Sequence, residues 1–542
     1  MTDVLDTNRH ITVSGAPEGF DAQLILREVA DRGAVVHVAR DDKRLAAMRA
    51  SLAFFAPDMP VVTFPGWDCL PYDRVSPNTD ISATRMATLA GLVHGMPKQY
   101  VLLTTLNAAT QRVPAREVLR EAAFSAQVGG RVDEKALRGF LVRMGFTQAP
   151  TVMEPGDYAI RGGIIDIFPP GEGGPVRLDL FGDVLDGARR FDPATQRTTE
   201  KLTEIDLAPV SEVILDEAAI TRFRQSYRLE FGAAGTDDPL YEAVSAGRKH
   251  QGVEHWLPFF HERLETLFDY LPDATITLDD QVTPMRLSRW DMVEDAYLSR
   301  KEAITAKGRM DSVYKPAAPD ALYLDDAAWE TAVEGRRVLQ YTPLPQPTGV
   351  GVIDAGGRVG RNFAPERQSE SLSLFSALSD HVKAKGADAP VVIASYSEGA
   401  RERLSGLIED EGILEAIHIT DLGGVKGRGT YLAVWALDHG FETPEMTVIS
   451  EQDVLGDRLI RAPKKKRRAE NFLTETQSLS PGDLVVHVDH GVGRYRGLEI
   501  VSAAGAAHEC LLLEYAENSK LYLPVENIEL LSRFGHEEGL LD

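Results

Sequence analysis

The chain has 542 residues, 43% of them hydrophobic and 26% charged, and at about 100–200 residues per domain this length predicts three to five folded domains. The formal net charge of -24 excludes a protein that mainly coats nucleic acid, and two distant cysteines, Cys69 and Cys510, exclude a disulfide-stabilised scaffold. No apolar run approaches the about 18–20 residues of a membrane span, so we expect no membrane partner. We also expect the protein to be cytoplasmic and monomeric.

Residues 1–122 alternate apolar strands with amphipathic helices, which predicts a P-loop-type parallel sheet. The stretch "VSGAPEGFDA" occupies the place of a G-x-x-x-x-G-K-[ST] phosphate loop. Counted from Gly15, however, Phe20 replaces the second glycine, Asp21 the lysine and Ala22 the hydroxyl residue. A carboxylate repels a polyphosphate, so the sequence predicts a degenerate loop, no ATPase activity and no cofactor.

Residues 123–210 change to a two-residue alternation broken by glycine and proline, which predicts a mostly β insert. Within it, strand alternation places Arg161 and Arg177 on one face with Phe181. Arginine beside an exposed aromatic ring is typical of a protein-binding surface. The alternative is that these arginines form ion pairs on a solvated face, with Asp157 or Asp179 as partners.

The next two segments are again α/β in character. Residues 211–335 return to helical patterns that rejoin the first sheet, and "VILDEAA" is interpreted as a helix cap by Asp216 and Glu217 rather than as an ATPase acid motif. Residues 336–452, which begin with the strand "RVLQYT", predict a second, small α/β domain to which the sequence assigns no role.

A basic linker, residues 453–480, precedes the last domain. Its charged tract is either a solvated spacer or a nucleic-acid contact. It consists of Lys464, Lys465, Lys466, Arg467 and Arg468.

Residues 481–542 hold about five short strands joined by tight turns, which predicts an SH3-like or Tudor-like β-barrel. This domain is acidic, so a protein partner is favoured over nucleic acid. The segment "GLEIV" is β-prone and offers a candidate edge for a partner's strand; its candidate contact residues are Leu498, Glu499, Ile500 and Val501.

No metal or catalytic site is predicted. The metal-ligand types nearest to one another in the sequence do not have the closed, repeated spacing of a zinc site. They are His487, His490, His508 and Cys510.

Three long motifs, in order, resemble one family. They are "FPGWDCLPYDRVSPNTDISATRMATL", "EPGDYAIRGGIIDIFPPG" with "VRLDLFGDVLDGARRFD", and "VVHVDHGVGRYRGLEIV" with "LEYAENSKLYLPVENIELLSRF". Together they resemble the bacterial transcription-repair coupling factors (the Mfd family). The first two also resemble the excision-repair helicase UvrB, and the third is similar to CarD-type RNA-polymerase-interacting domains.

This resemblance implies a UvrB-like module that has lost ATP hydrolysis and binds UvrA through Arg161, Arg177 and Phe181. It further implies a barrel that binds the RNA polymerase β subunit, with Val501 at the family's critical apolar position. In the intact family protein a C-terminal domain masks the UvrA surface, and an ATP- and Mg-dependent motor supplies most DNA contact. No motor motifs occur here, so we expect an N-terminal fragment rather than a natural short form.

Two other functions remain as alternatives. A UvrB-like repair helicase requires ATP turnover, against which Asp21 argues. A CarD-type transcription regulator that binds DNA requires salt-dependent DNA binding, which the net charge of -24 predicts to be weak.

Overall fold

The computed structural model describes fourteen segments of the chain. They are residues 10–122, 124–171, 174–232, 238–306, 314–347, 349–369, 372–410, 416–456, 482, 484–487, 491–503, 506–515, 519–524 and 531–533. The chain divides into two compact units, Met1–Gly456 and Asp457–Asp542.

The first sheet of the larger unit has seven strands, all parallel. In spatial order they are Val352–Asp354, His10–Ser14, Val338–Tyr341, Thr275–Leu278, Ala34–Ala39, Tyr100–Thr105 and Val61–Phe64. Three helices pack on it, Phe20–Arg32, Asp42–Phe55 and Thr79–His94. The strand Thr275–Leu278 confirms that the chain rejoins this sheet after the insert.

One strand lies in a different sheet from the one expected. Val338–Tyr341, from "RVLQYT", pairs with His10–Ser14 in the first sheet, so its assignment to the second α/β domain is wrong. Val352–Asp354 extends the same sheet on the other side of His10–Ser14. Apolar alternation indicates that a segment is a strand, but it carries no information about which sheet the strand joins.

The insert is mostly β, as predicted. Its six-stranded sheet contains, in spatial order, Thr198–Leu202, Val184–Phe191, Val176–Phe181, Ile164–Ile167, Asp157–Arg161 and Thr147–Gln148. The helix Glu134–Arg143 contributes apolar side chains to the same core. Where the insert begins and ends, Phe124–Gln127 pairs antiparallel with Glu204–Leu207. We call this two-stranded ribbon the neck.

The segment after the insert is helical. Its longer elements are the helices Glu217–Phe231, Pro239–Ser245, Val282–Ala306 and Asp326–Val333, with 3-10 turns at Val253–Phe259 and Leu267–Tyr270. The Asp216 side chain accepts a hydrogen bond from the backbone N–H of Ala219 at 2.7 Å. That contact confirms the interpretation of Asp216 as a helix cap.

The second sheet has six strands. They are Arg358–Val359, Phe441–Glu442, Thr447–Ser450, Val391–Ser395, Thr430–Val434 and Ile417–Ile419 in spatial order, and the last four are parallel. Helices Leu374–Gly386 and Glu398–Asp410 pack on one face. The other face shares a core with Phe20–Arg32 and Asp42–Phe55, so these two helices lie between the two sheets.

The smaller unit contains one antiparallel sheet of five strands. In spatial order they are Lys520–Pro524, Ala506–Glu514, Gly491–Ala503, Leu484–His487 and Leu531–Arg533. Its core is formed by Val485, Tyr495, Leu511, Leu513 and Leu523. Between the two outermost strands there is no pairing among the described residues, so the strands are as expected while the closed barrel stays a prediction.

Candidate functional site

The degenerate phosphate loop lies between the strand His10–Ser14 and the helix that begins at Phe20. Gly15 and Gly19 have positive φ values of 62° and 94°, in a region of backbone conformation that favours glycine. Backbone N–H groups of Gly19 and Ala22 donate to Asp21 Oδ1 at 3.0 and 2.9 Å. The carboxylate of Asp21 therefore takes the backbone donors that a phosphate uses at a helix N-terminus.

A buried charge network surrounds that carboxylate. Asp21 forms an ion pair with Arg44, whose Nε also lies 3.2 Å from Oδ1 of Asp279. Burial raises the pKa of Asp21 to about 6, with Asp279 and Glu18 adding to the rise and Arg44 opposing it. Since one arginine already neutralises the loop's carboxylate, little of its positive charge remains for an incoming phosphate.

Phe20 closes the loop from the other side. Its ring centroid lies 5.9 Å from that of Phe441 in the second sheet. The N–H of Gly357 donates to the Gly15 carbonyl at 2.9 Å, and a Cβ on Gly357 would come within 2.5 Å of the Phe20 ring. The space over the loop is thus occupied by the chain itself.

One face of the insert's sheet packs on the main core of the insert, and the opposite face carries a small buried cluster beside more exposed residues. Val176, Leu178, Ile165 and Ile167 point into the core, and strand alternation puts Arg177, Asp179 and Phe181 on the opposite face. Strand register adds Arg161 and Ile164 to that face, because Arg161 pairs with Ile164 and Ile164 with Asp179. The two arginines and the phenylalanine share one face, as the alternation predicts.

Arg177 forms an ion pair with Asp166, which is neither of the two partners predicted from the sequence. Its Nε and Nη2 donate to the two carboxylate oxygens of Asp166 at 2.7 and 2.9 Å. Asp179 instead accepts from Arg189 at 3.0 Å. The alternative of a paired arginine is therefore right for Arg177, but its predicted partners are wrong.

The other two residues on this face are more exposed. Arg161 donates to the Pro150 carbonyl at 2.6 Å, so its guanidinium is tethered to the neighbouring loop, and Asp157 accepts from Met153 and Glu154 backbone groups instead. Phe181 is 83% exposed at the end of its strand. A large ring left in water on a rigid hairpin is a feature of partner-binding surfaces.

The candidate edge in the smaller unit belongs to the long strand Gly491–Ala503. Leu498, Glu499, Ile500 and Val501 pair with Leu511, Cys510, Glu509 and His508, respectively. On its other side, the long strand is paired with Leu484–His487 at residues 491–494 alone. Within the described part of this sheet, residues 497–503 are thus paired on one side only, and Leu498 is 46% exposed.

One group of residues from the sequence lies wholly outside the described segments, and another lies partly outside them. The tract Lys464, Lys465, Lys466, Arg467 and Arg468 lies outside them, as does His490. Cys510 is buried. In the segments that the structure covers, no cluster of three or more metal-ligating side chains occurs and no helix is long and apolar enough to cross a membrane.

Comparison with known proteins matches two regions of the chain to named domains. Residues 124–212 match the UvrB interaction domain, and residues 479–535 match the CarD-like/TRCF RID domain. Over 97% of its length the chain is 33% identical to the transcription-repair-coupling factor of Escherichia coli. The chain is similar to transcription-repair-coupling factors over nearly its whole length. The coupling factors of Rickettsia bellii and Bacillus subtilis are 29% and 26% identical over 94% and 89% of it.

The chain spans less than half the length of these coupling factors, 45% of the Escherichia coli protein and 41% of the Bacillus subtilis one. The matched UvrB interaction domain coincides with the mostly β insert, and its last residue, Glu212, lies just beyond the neck. The matched RID domain contains the whole five-stranded sheet.

The sequence analysis did not identify three charged residues that form buried ion pairs at these sites, Asp166, Arg44 and Asp279. Asp166 stands alone among apolar residues in "IIDIF", and Arg44 interrupts the buried stripe of its helix. Asp279 follows the strand Thr275–Leu278 directly, at the same sheet edge as the phosphate loop. A single charged residue in an otherwise apolar pattern is the signal that indicates a buried partner.

Proposed function

We propose that this chain is the adaptor portion of a transcription-repair coupling factor. In this proposal the face of the insert's sheet that lies opposite its main core binds UvrA, and the edge of the smaller unit binds the β subunit of RNA polymerase. The observation that carries the proposal is the arrangement of Arg161, Arg177 and Phe181 on one face of the insert's sheet, opposite its main core, in the domain that matches the UvrB interaction domain.

The chemistry of the insert face supports a protein partner. Phe181 supplies an exposed apolar ring, Ile164 is 39% exposed beside it, and the two arginines supply directional donors. Aromatic and arginine side chains dominate the energetics of protein interfaces because they combine large contact area with hydrogen bonding.

The edge in the smaller unit supports recognition by strand addition. A strand that is paired on one side presents a row of backbone N–H and C=O groups to an incoming strand. Among the described residues, 497–503 form such a segment, within the domain matched to the RID family. The acidic character of this domain favours a protein surface over nucleic acid.

We further propose that the chain does not hydrolyse ATP. The support is the phosphate loop, in which Asp21 takes the anion's backbone donors and Phe20 with Gly357 occupies the space above. ATP-driven movement along DNA, which the resemblance implies for the intact family protein, would then reside outside this span.

The test is a pair of titrations of the whole chain, one with purified UvrA and one with a polymerase β-subunit fragment. Arg161→Ala and Phe181→Ala should each weaken UvrA binding by about tenfold or more and leave β-subunit binding unchanged. Val501→Arg should do the reverse. The matched control is Arg138→Ala, which removes an exposed arginine from the helix of the same insert.

Two results would contradict the proposal. Failure of the wild-type chain to bind either partner would leave a family fold without the adaptor function. Equal losses for Arg138→Ala and Arg161→Ala would mean that general charge, rather than the proposed face, governs UvrA binding.

A further inference from the structure

The guanidinium of Arg177 is fixed by three separate contacts. Asp166 accepts its Nε and Nη2 hydrogens, and the Gln196 carbonyl accepts from Nη1 at 3.5 Å. Its Cζ atom lies 4.8 Å from the centre of the Phe191 ring. A planar cation held along one edge and supported by a ring has little freedom to rotate.

Three of the five N–H donors of Arg177 are therefore used within the insert, and two remain without an acceptor among the described residues. The Arg177 side chain is 20% exposed while that of Asp166 is only 2% exposed. The acid is consequently hidden from a partner, whereas part of the Arg177 side chain is reached from the surface.

We propose that Asp166 is a positioning residue for UvrA binding: it orients Arg177 so that two N–H groups meet an acceptor, a carboxylate or a backbone carbonyl, on the partner. This inference rests on the proposed function of the insert face. Preorganisation raises affinity because the rotamer entropy of the arginine is lost on folding and is not lost again on binding.

The cost of an unpaired buried acid explains why the two residues act together. Asp166 lies in the middle of the strand Ile164–Ile167 and directly opposite Arg177 in the antiparallel register. Without Arg177, Asp166 would be a buried carboxylate with no cation beside it. Without Asp166, Arg177 would lose the carboxylate that accepts its Nε and Nη2 hydrogens. In this inference the two residues act as one unit, in which Asp166 is buried and Arg177 is partly exposed to a partner.

The experiment is a double-mutant cycle on the whole chain, with UvrA affinity as the measurement. Asp166→Asn keeps the shape of the side chain and removes its charge, and we expect about tenfold weaker binding. In an Arg177→Ala background the same change should alter affinity by less than about twofold, because Asp166 acts only through Arg177. Asp206→Asn, which removes an acid from the neck instead, is the matched control.

Equal losses caused by Asp166→Asn with and without Arg177 would overturn the inference and assign Asp166 a purely structural role. Wild-type affinity in Asp166→Asn would also overturn it. Should Asp166→Asn fail to fold, Arg177→Lys serves instead, since lysine keeps the charge but lacks the fork; it should lose about tenfold, and unchanged binding would contradict the inference. If Arg161→Ala and Phe181→Ala weaken binding while these variants do not, only this inference fails.

Discussion

The ring of Phe20 packs on the ring of Phe441, with their centroids 5.9 Å apart, so a residue of the degenerate phosphate loop forms part of the core between two sheets. Close by, Phe54 stacks on Trp435 at 4.3 Å. The segment at the position of a phosphate loop therefore forms part of the contact between two α/β layers. This packing gives the segment a structural role that does not depend on nucleotide binding.

Removing the Phe20 ring should destabilise the chain. We expect Phe20→Ala to lower the free energy of unfolding by about 3–5 kcal/mol, because it opens a cavity between the sheets. Phe181→Ala also removes a phenylalanine ring, but this side chain is 83% exposed, so the change should alter the free energy of unfolding by less than about 0.5 kcal/mol. Urea unfolding of both variants measures the contrast, and equal effects would contradict the packing role of Phe20.

Restoring the missing lysine should not restore a nucleotide site. Asp21→Lys places a second cation beside Arg44 in a buried position, and we expect a loss of about 3–5 kcal/mol in unfolding free energy. Asp42→Lys, at an exposed first-turn position of the next helix, should cost no more than about 1 kcal/mol. Denaturant unfolding and ATP titration check this; a stable Asp21→Lys variant that binds ATP would refute it.

Asp21 should also leave a signature in the pH dependence of stability. Its pKa is about 6 in the folded chain against an ordinary value of 3.8, since burial outweighs the attraction of Arg44 while Asp279 and Glu18 repel. The folded state therefore holds a proton that the unfolded state has released. This contribution to stability is complete below about pH 4 and is lost as pH rises through about 6.

The variant Asp21→Asn isolates that effect because an amide does not titrate. The wild type should gain stability relative to Asp21→Asn when the pH falls from 7 to 4.5. Urea unfolding at several pH values measures the difference. A difference that is constant over this range, or that grows with rising pH, would show that Asp21 is not a desolvated carboxyl.

A second buried pair joins the helix Thr79–His94 to the chain just beyond the neck. Arg85, on the helix Thr79–His94, lies 2.7 Å from the carboxylate of Glu212, the last residue of the UvrB interaction match. Glu212→Ala would leave that arginine buried without an anion, so we expect a loss of about 3–5 kcal/mol. Glu262→Ala breaks an exposed pair with Arg222 and should cost less than about 1 kcal/mol. Thermal or urea unfolding distinguishes the two, and similar costs would contradict the role of burial.

Much of the fold was predictable because local patterns repeat. The alternation of apolar residues found the insert and put Arg161, Arg177 and Phe181 on one face, and the acids of "VILDEAA" indicated a helix start. These features depend on residues a few positions apart, so the sequence displays them directly.

Features that depend on distant residues were missed. The pairing of Val338–Tyr341 with His10–Ser14 joins segments more than 300 residues apart, and the contact of Arg44 with Asp279 spans 235 positions. Arg177 pairs with Asp166 rather than Asp179 because the partner lies opposite it on the next strand, not two residues along its own. Cross-strand register decides such partners, and a single sequence does not specify it.

The neck has a consequence for how this architecture arises. Because Phe124 pairs with Leu207 and Gln127 with Glu204, the chain leaves and re-enters the first domain at neighbouring points. Such an insertion lengthens a surface connection without reordering any strand of its host. The insert can therefore be gained, lost or replaced in evolution without a change in the strand order of the first sheet.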